Sequence, residues 1–154
     1  MFVIDMSSYM AGPELLEVKR ALKKTLARME ATQAFGLGFY NADVSVWGRG
    51  LTLASKAAVR AASAHIDGRR PDGVADVYDA LMRALNERGV DTVFLVSSSR
   101  HLSGSVEDPR RIVAGVRKAN LAPGVTINCI GLGSHDADLL QRLAEENGGR
   151  YVSR

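Results

Sequence analysis

The sequence predicts an α/β fold of the doubly wound kind: a mainly parallel six-stranded sheet with one antiparallel edge strand and helices on both faces. Three observations carry this. Short apolar runs alternate with helical stretches along the whole chain, and strands joined through helices pair in parallel by right-handed crossovers. The first run, Phe2-Val3-Ile4, ends abruptly in Asp5-Met6-Ser7, as a buried parallel strand does when its carboxyl end delivers a carboxylate and hydroxyls to one spot. One run alone, Val44-Ser45-Val46-Trp47, alternates apolar with polar and follows Asn41-Ala42-Asp43, which makes it the second arm of a hairpin at a sheet edge.

The remaining elements follow in order. Gly12-Pro13 opens a helix, proline suiting the first helical position, and Leu15, Leu16, Ala21, Leu22, Leu26 and Met29 give it an apolar stripe over about five turns. Gln33 to Tyr40 is the first arm of the hairpin. Ala54 to Ile66 is Ala-rich and helical, and the turn formers Gly68 to Gly73 end it. A helix over Asp76 to Arg88 leads to a fully buried strand, Asp91 to Ser97, followed by the polar loop Ser98 to Gly104 and a helix from Pro109 to Ala119. Val125 to Ile130 is the next strand. The helix from Asp136 to Glu146 stops at Asn147-Gly148-Gly149, where glycine takes the left-handed cap cheaply, and Tyr151-Val152 is a short last strand.

At 154 residues, with 46% of them apolar, the chain is one globular domain, 1–154. It is either a minimal protein or a domain excised from a larger one. No run approaches the roughly 18 uninterrupted apolar residues of a membrane span, and no basic leader precedes the first apolar stretch, so it reads as soluble. Cys129 has no partner for a disulfide and lies among Val125, Ile127 and Ile130 as a small buried thiol. The net charge of +3 is spread over 20 basic and 17 acidic side chains. The one basic cluster, Lys19, Arg20, Lys23, Lys24 and Arg28, follows Glu14 and Glu17 on a helix in the order the helix dipole favours, which makes it a solvated face rather than a nucleic-acid surface. Nothing in the sequence selects a compartment or an oligomeric state.

Phe2 to Ser7, Gly73 to Leu81, Phe94 to Ser98, Ile127 to Gly133 and Leu139 to Tyr151 together resemble a von Willebrand factor A domain from end to end, and its bacterial members most. The resemblance implies a Rossmann-like sheet and a metal-ion-dependent adhesion site on its upper face. In the family that site draws on Asp-x-Ser-x-Ser after the first strand, a Thr in a Gly-Gly-Thr-type loop, and an Asp after the fourth strand. Asp5 and Ser7 match the pattern. Tyr9 stands where the second Ser belongs, Ala75 where the Thr belongs and Ser98 where the second Asp belongs. Magnesium wants a near-octahedral set of carboxylate, hydroxyl and water oxygens, and two retained ligands with one charge hold it weakly. The Tyr9 ring is expected to occupy the vacated volume. No other cofactor is expected.

Other residues have plainer roles beside the chemical ones. Asp76 heads a helix with Asp79 three residues on, which fits N-capping better than replacing a lost ligand. His101 and His135 fall in loops on the upper face, but no tight ligand spacing joins them. Ser97-Ser98-Ser99 near His101 lacks the Gly-x-Ser-x-Gly elbow of a hydrolase, and Gly131-x-Gly133 lacks the rest of a nucleotide-binding fingerprint. The expected role is therefore a protein-interaction module and not an enzyme, binding a partner protein through top-face loops that carry Asp76, Arg100, His101 and His135. The alternatives are a structural domain packed within a larger assembly, or a residual weak magnesium-dependent adhesion site.

Overall fold

The computed structural model describes residues 1–100 and 103–154. Its elements, in chain order, are β1 (Phe2–Asp5), a 3-10 turn at Ser8–Met10, α1 (Pro13–Leu26), β2 (Ala34–Phe35), β3 (Leu37–Tyr40), β4 (Val44–Val46), β5 (Thr52–Leu53) and α2 (Lys56–Gly68). They continue with α3 (Val77–Leu85), β6 (Thr92–Ser97), α4 (Pro109–Asn120), β7 (Thr126–Gly131), α5 (Ala137–Glu145) and β8 (Tyr151–Ser153). The main sheet has six strands in the order β4-β3-β1-β6-β7-β8. Every neighbouring pair is parallel except β3 with β4, so the antiparallel edge strand stands where the alternation of Val44 to Val46 places it.

β1 lies between β3 and β6, with Ile4 in register with Phe39 on one side and Val96 on the other. Because side chains alternate across a strand, Val3 and Ile4 enter different cores. Val3 packs with Leu81, Leu95, Val113, Ile127 and Leu139 beneath α3, α4 and α5. Ile4 packs with Leu22, Leu37, Phe39, Ala62 and Ile66 beneath α1 and α2. Helices thus cover both faces, and the carboxyl ends of β1, β6 and β7 meet at one edge.

Three expectations are corrected. The run 33–40 is not one strand: Gly36 divides it, and Ala34–Phe35 leaves the main sheet to pair with Thr52–Leu53 in a separate two-stranded ladder. The first helix has 14 residues rather than about five turns. It stops at Leu26 because its hydrogen bonds tighten there: Arg28 and Met29 donate three residues back, to Thr25 and Leu26, while the Thr25 hydroxyl bonds back to Ala21. Lys19 does not belong to a solvated face. It is buried, and its Nζ donates to the carbonyls of Asp67 and Arg69 at 3.0 and 2.6 Å, capping the carboxyl end of α2 where orphan carbonyls and the helix dipole favour a cation. Burial, and then the neighbouring Arg70, pushes its pKa down.

Candidate functional site at the carboxyl edge of the sheet

β1 ends by turning its last carboxylate inward. Asp5 is fully buried; its Oδ1 accepts the Ser7 backbone N–H at 2.8 Å, and its Oδ2 accepts both the Ser98 N–H at 3.0 Å and the Ser98 hydroxyl at 3.3 Å. Three donors therefore hold one anion in a place without solvent. The Ser7 hydroxyl beside it is equally buried and finds no hydrogen-bond partner among the described residues. Tyr40, at the end of β3, donates its phenol proton to the Val96 carbonyl at 3.4 Å. Burial first, and the charge of Asp5 second, raises its pKa well above the ordinary value, so the phenol stays protonated next to the carboxylate.

The loop before α3 is closed over from above. Ala75 is fully buried and offers no side-chain oxygen, and its carbonyl accepts the N–H and the hydroxyl of Ser103, both at 3.2 Å. Asp76 caps α3 through the Asp79 N–H at 2.9 Å and receives the Ser105 N–H on its other oxygen at 3.1 Å. Gly104 lies between these contacts with φ 110°, and a Cβ there would stand 1.7 Å from Asp76 Oδ2, so only glycine lets the loop come this close. Asp76 is accordingly a buried cap that also pins a loop, and both of its oxygens are engaged.

Outside the buried carboxylate lies an open pocket of about 230 Å³ lined by Tyr9, Glu14, Ser98, Arg100, Gly133 and Ser134. Tyr9 is 45% exposed, so its ring walls this pocket rather than plugging the space beside Asp5, a correction to the expectation drawn from its bulk. The Ser8 N–H bonds to the Gly73 carbonyl, which brings the Tyr9 turn against the loop where Val74 is 46% exposed. His135 turns aside. Its Nδ1 donates toward the carbonyls of Leu132 and Gly133, and its Nε2 accepts from the Tyr151 hydroxyl on β8. His101 lies outside the described residues. Glu14 was not singled out as a site residue, because an acid in the first turn of a helix already has an ordinary role at the positive end of the dipole.

The arrangement brings Asp5, Ser7, Tyr9, Ser98 and Arg100 to one edge and leaves Asp76 and His135 committed to their own loops. Among the described residues no three His, Cys, Asp or Glu side chains converge in a metal-binding group. Among the described residues no helix is long and apolar enough to cross a membrane.

The family model for the von Willebrand factor type A domain matches residues 1–153. The chain belongs to that family. It is 30% identical over 162 residues to inter-alpha-trypsin inhibitor heavy chain H2 of Sus scrofa and of Homo sapiens, covering 97% of this chain and 17% of each relative. The chain thus spans about a sixth of those proteins. Among solved structures it is similar to a von Willebrand factor type A protein from Catenulispora acidiphila, with a TM-score of 0.87 at 18% identity over 99% of this chain and 37% of that one. It is also similar to the conserved hypothetical protein BatB from Bacteroides thetaiotaomicron, with a TM-score of 0.75 at 13% identity over 99% and 88% of the two chains.

Proposed function

We propose that this von Willebrand factor A domain binds another protein through the loops at the carboxyl edge of its sheet, and does so without a tightly held metal ion. The observation that carries the reading is the pairing of Asp5. Its two oxygens already receive three protein donors, and among the described residues the orphan oxygen beside it is the Ser7 hydroxyl. A magnesium ion there would draw one carboxylate and one hydroxyl from the protein and the rest of its octahedron from water, and so few protein ligands with one charge hold it only weakly. Binding then falls to side chains that face outward. Tyr9 stands exposed beside Arg100 at the outer pocket, Val74 stands exposed on the loop adjoining the Tyr9 turn, and tyrosine and arginine are the types that anchor interfaces most often. The three serines at the end of β6 and just beyond it do not support catalysis: Ser97 Oγ accepts the Ser99 N–H at 3.4 Å, and Ser98 is bound to Asp5.

The test is comparative recovery of partners by the folded chain. The parent and Leu121→Ala, altered at the far end of α4, are expected to capture the same proteins in EDTA and in magnesium. The Tyr9→Ala/Val74→Ala pair is expected to lose them. Equal recovery by all three contradicts the reading. A second reading, a structural domain within a larger assembly, is favoured by one feature: an apolar groove of about 420 Å³ beside α1, floored by Phe2, Phe94, Val96 and Ile130.

A further inference from the structure

We infer that the pocket between Glu14 and Arg100 receives a dipolar element of the protein partner: an acidic side chain set on the Arg100 guanidinium and a basic one, two residues away along an extended segment, set on the Glu14 carboxylate. The inference rests on the protein-binding reading above and specifies what the partner presents. The two charges come from different parts of the chain. Glu14 stands in the first turn of α1, and Arg100 in the loop after β6, and both line the same pocket together with Ser98 and Ser134. None of the ion pairs among the described residues involves either side chain. Glu14 leans over Gly133, its Oε1 3.4 Å from where a Cβ would be, which sets the carboxylate at that wall of the pocket.

Two opposite charges sharing a pocket without pairing select against simple ions. A phosphate or sulfate drawn to Arg100 meets the repulsion of Glu14, and a metal cation or lone amine drawn to Glu14 meets that of Arg100. A group carrying both signs satisfies both walls. The volume, about 230 Å³, lies below the ~300–1,000 Å³ of pockets that enclose whole small molecules and suits one or two side chains. In an extended segment, side chains two residues apart lie on one face about 6.5–7 Å apart, so a base-x-acid sequence presents both charges to the pocket from one strand. The Arg100 fork takes a carboxylate through paired N–H bonds, and Ser134 lines the same pocket with a hydroxyl.

The probes are three blocked peptides added to the 15N-labelled chain at low salt with EDTA present: acetyl-Lys-Ala-Glu-amide, acetyl-Ala-Ala-Glu-amide and acetyl-Lys-Ala-Ala-amide. The amide resonances of Ser98, Gly133 and Ser134 are expected to shift and saturate at least about threefold more tightly with the doubly charged peptide, the size of effect that exposed ion pairs provide. Arg100→Glu and Glu14→Arg are each expected to abolish that preference, and the double reversal to regain it with acetyl-Glu-Ala-Lys-amide. Unchanged amide dispersion elsewhere verifies the fold, and the neutral variants Arg100→Gln and Glu14→Gln repeat the measurement without reversed charge. Equal binding of all three peptides, or indifference to both reversals, overturns the inference. Partner capture that is lost in Tyr9→Ala/Val74→Ala yet unaffected by either charge reversal also overturns it, while leaving the protein-binding reading intact.

Discussion

Val3 and Ile4 are buried between β3 and β6 by apolar neighbours alone, whereas Asp5, next along the same strand and equally buried, is held by hydrogen bonds from Ser7 and Ser98. The first kind of burial is set by area and shape and tolerates any side chain that fills the space. The second is set by matched donors and acceptors and fails when one partner is removed. A strand of four residues thus changes from a core element to a site element within one peptide unit. What the change teaches is that the charge left at the carboxyl edge has been absorbed by the protein itself.

The largest effect expected is in the apolar half. Ile4→Ala is expected to cost about 2–5 kcal/mol, since a strand flanked by strands and helices cannot relax around a cavity, while Val46→Ala on the half-buried edge strand costs clearly less. Urea denaturation measures both, and similar losses would break the distinction between centre and edge. In the polar half, Asp5→Ala strands the Ser7 and Ser98 donors in a dry site and is expected to cost about 3 kcal/mol, whereas Ser98→Ala, which leaves the Ser98 N–H in place, costs about 1 kcal/mol. An equal loss in the two variants would mean that the carboxylate is not the hub of that network.

His65 falls between the two cases and sharpens them. Its ring packs against Phe39 and Trp47, and its Nε2 is buried with no hydrogen-bond partner among the described residues. Burial, and then Arg69, lowers its pKa. A folded value below the unfolded one means that the unfolded chain takes up the proton first as pH falls. The contribution is therefore complete above about pH 6.5 and is lost as pH falls through the folded value. Thermal melts across that range are expected to show a shallower acid slope in His65→Gln than in the parent, and identical slopes would show that the ring titrates alike in both states.

The six strands, their order of appearance and the antiparallel edge were legible because period-2 alternation, apolar runs and turn residues all agree at β1, β4, β6 and β7. The division at Gly36 was not legible, because the pairing of Ala34–Phe35 with Thr52–Leu53 depends on contacts outside that run. Lys19 was misplaced for a related reason. Its spacing on α1 is that of a surface residue, and only the end of α2, some fifty residues on, supplies the carbonyls that bury it. At the site, Asp5, Ser7, Tyr9, Ala75 and Ser98 were expected from the family resemblance, and the structure gathers Asp5, Ser7, Tyr9 and Ser98 at the carboxyl edge. That Ser98 turns its own N–H and hydroxyl onto Asp5, and that Glu14 shares a pocket with Arg100, follow from how β1, α1 and β6 converge in space, which no local pattern encodes.

The central claim is that the carboxyl edge lacks ligands for a metal rather than a shape for one. Magnesium calorimetry at millimolar ion tests it most directly, on the parent and on the Tyr9→Ser/Ala75→Thr/Ser98→Asp variant. That variant adds oxygen ligands and a second carboxylate beside Asp5 and Ser7. The account predicts no measurable heat in the parent and saturable binding in the variant, accompanied by stability lost without the ion, where two carboxylates repel, and regained with it. Tight binding in the parent, or none in a folded variant, would contradict it.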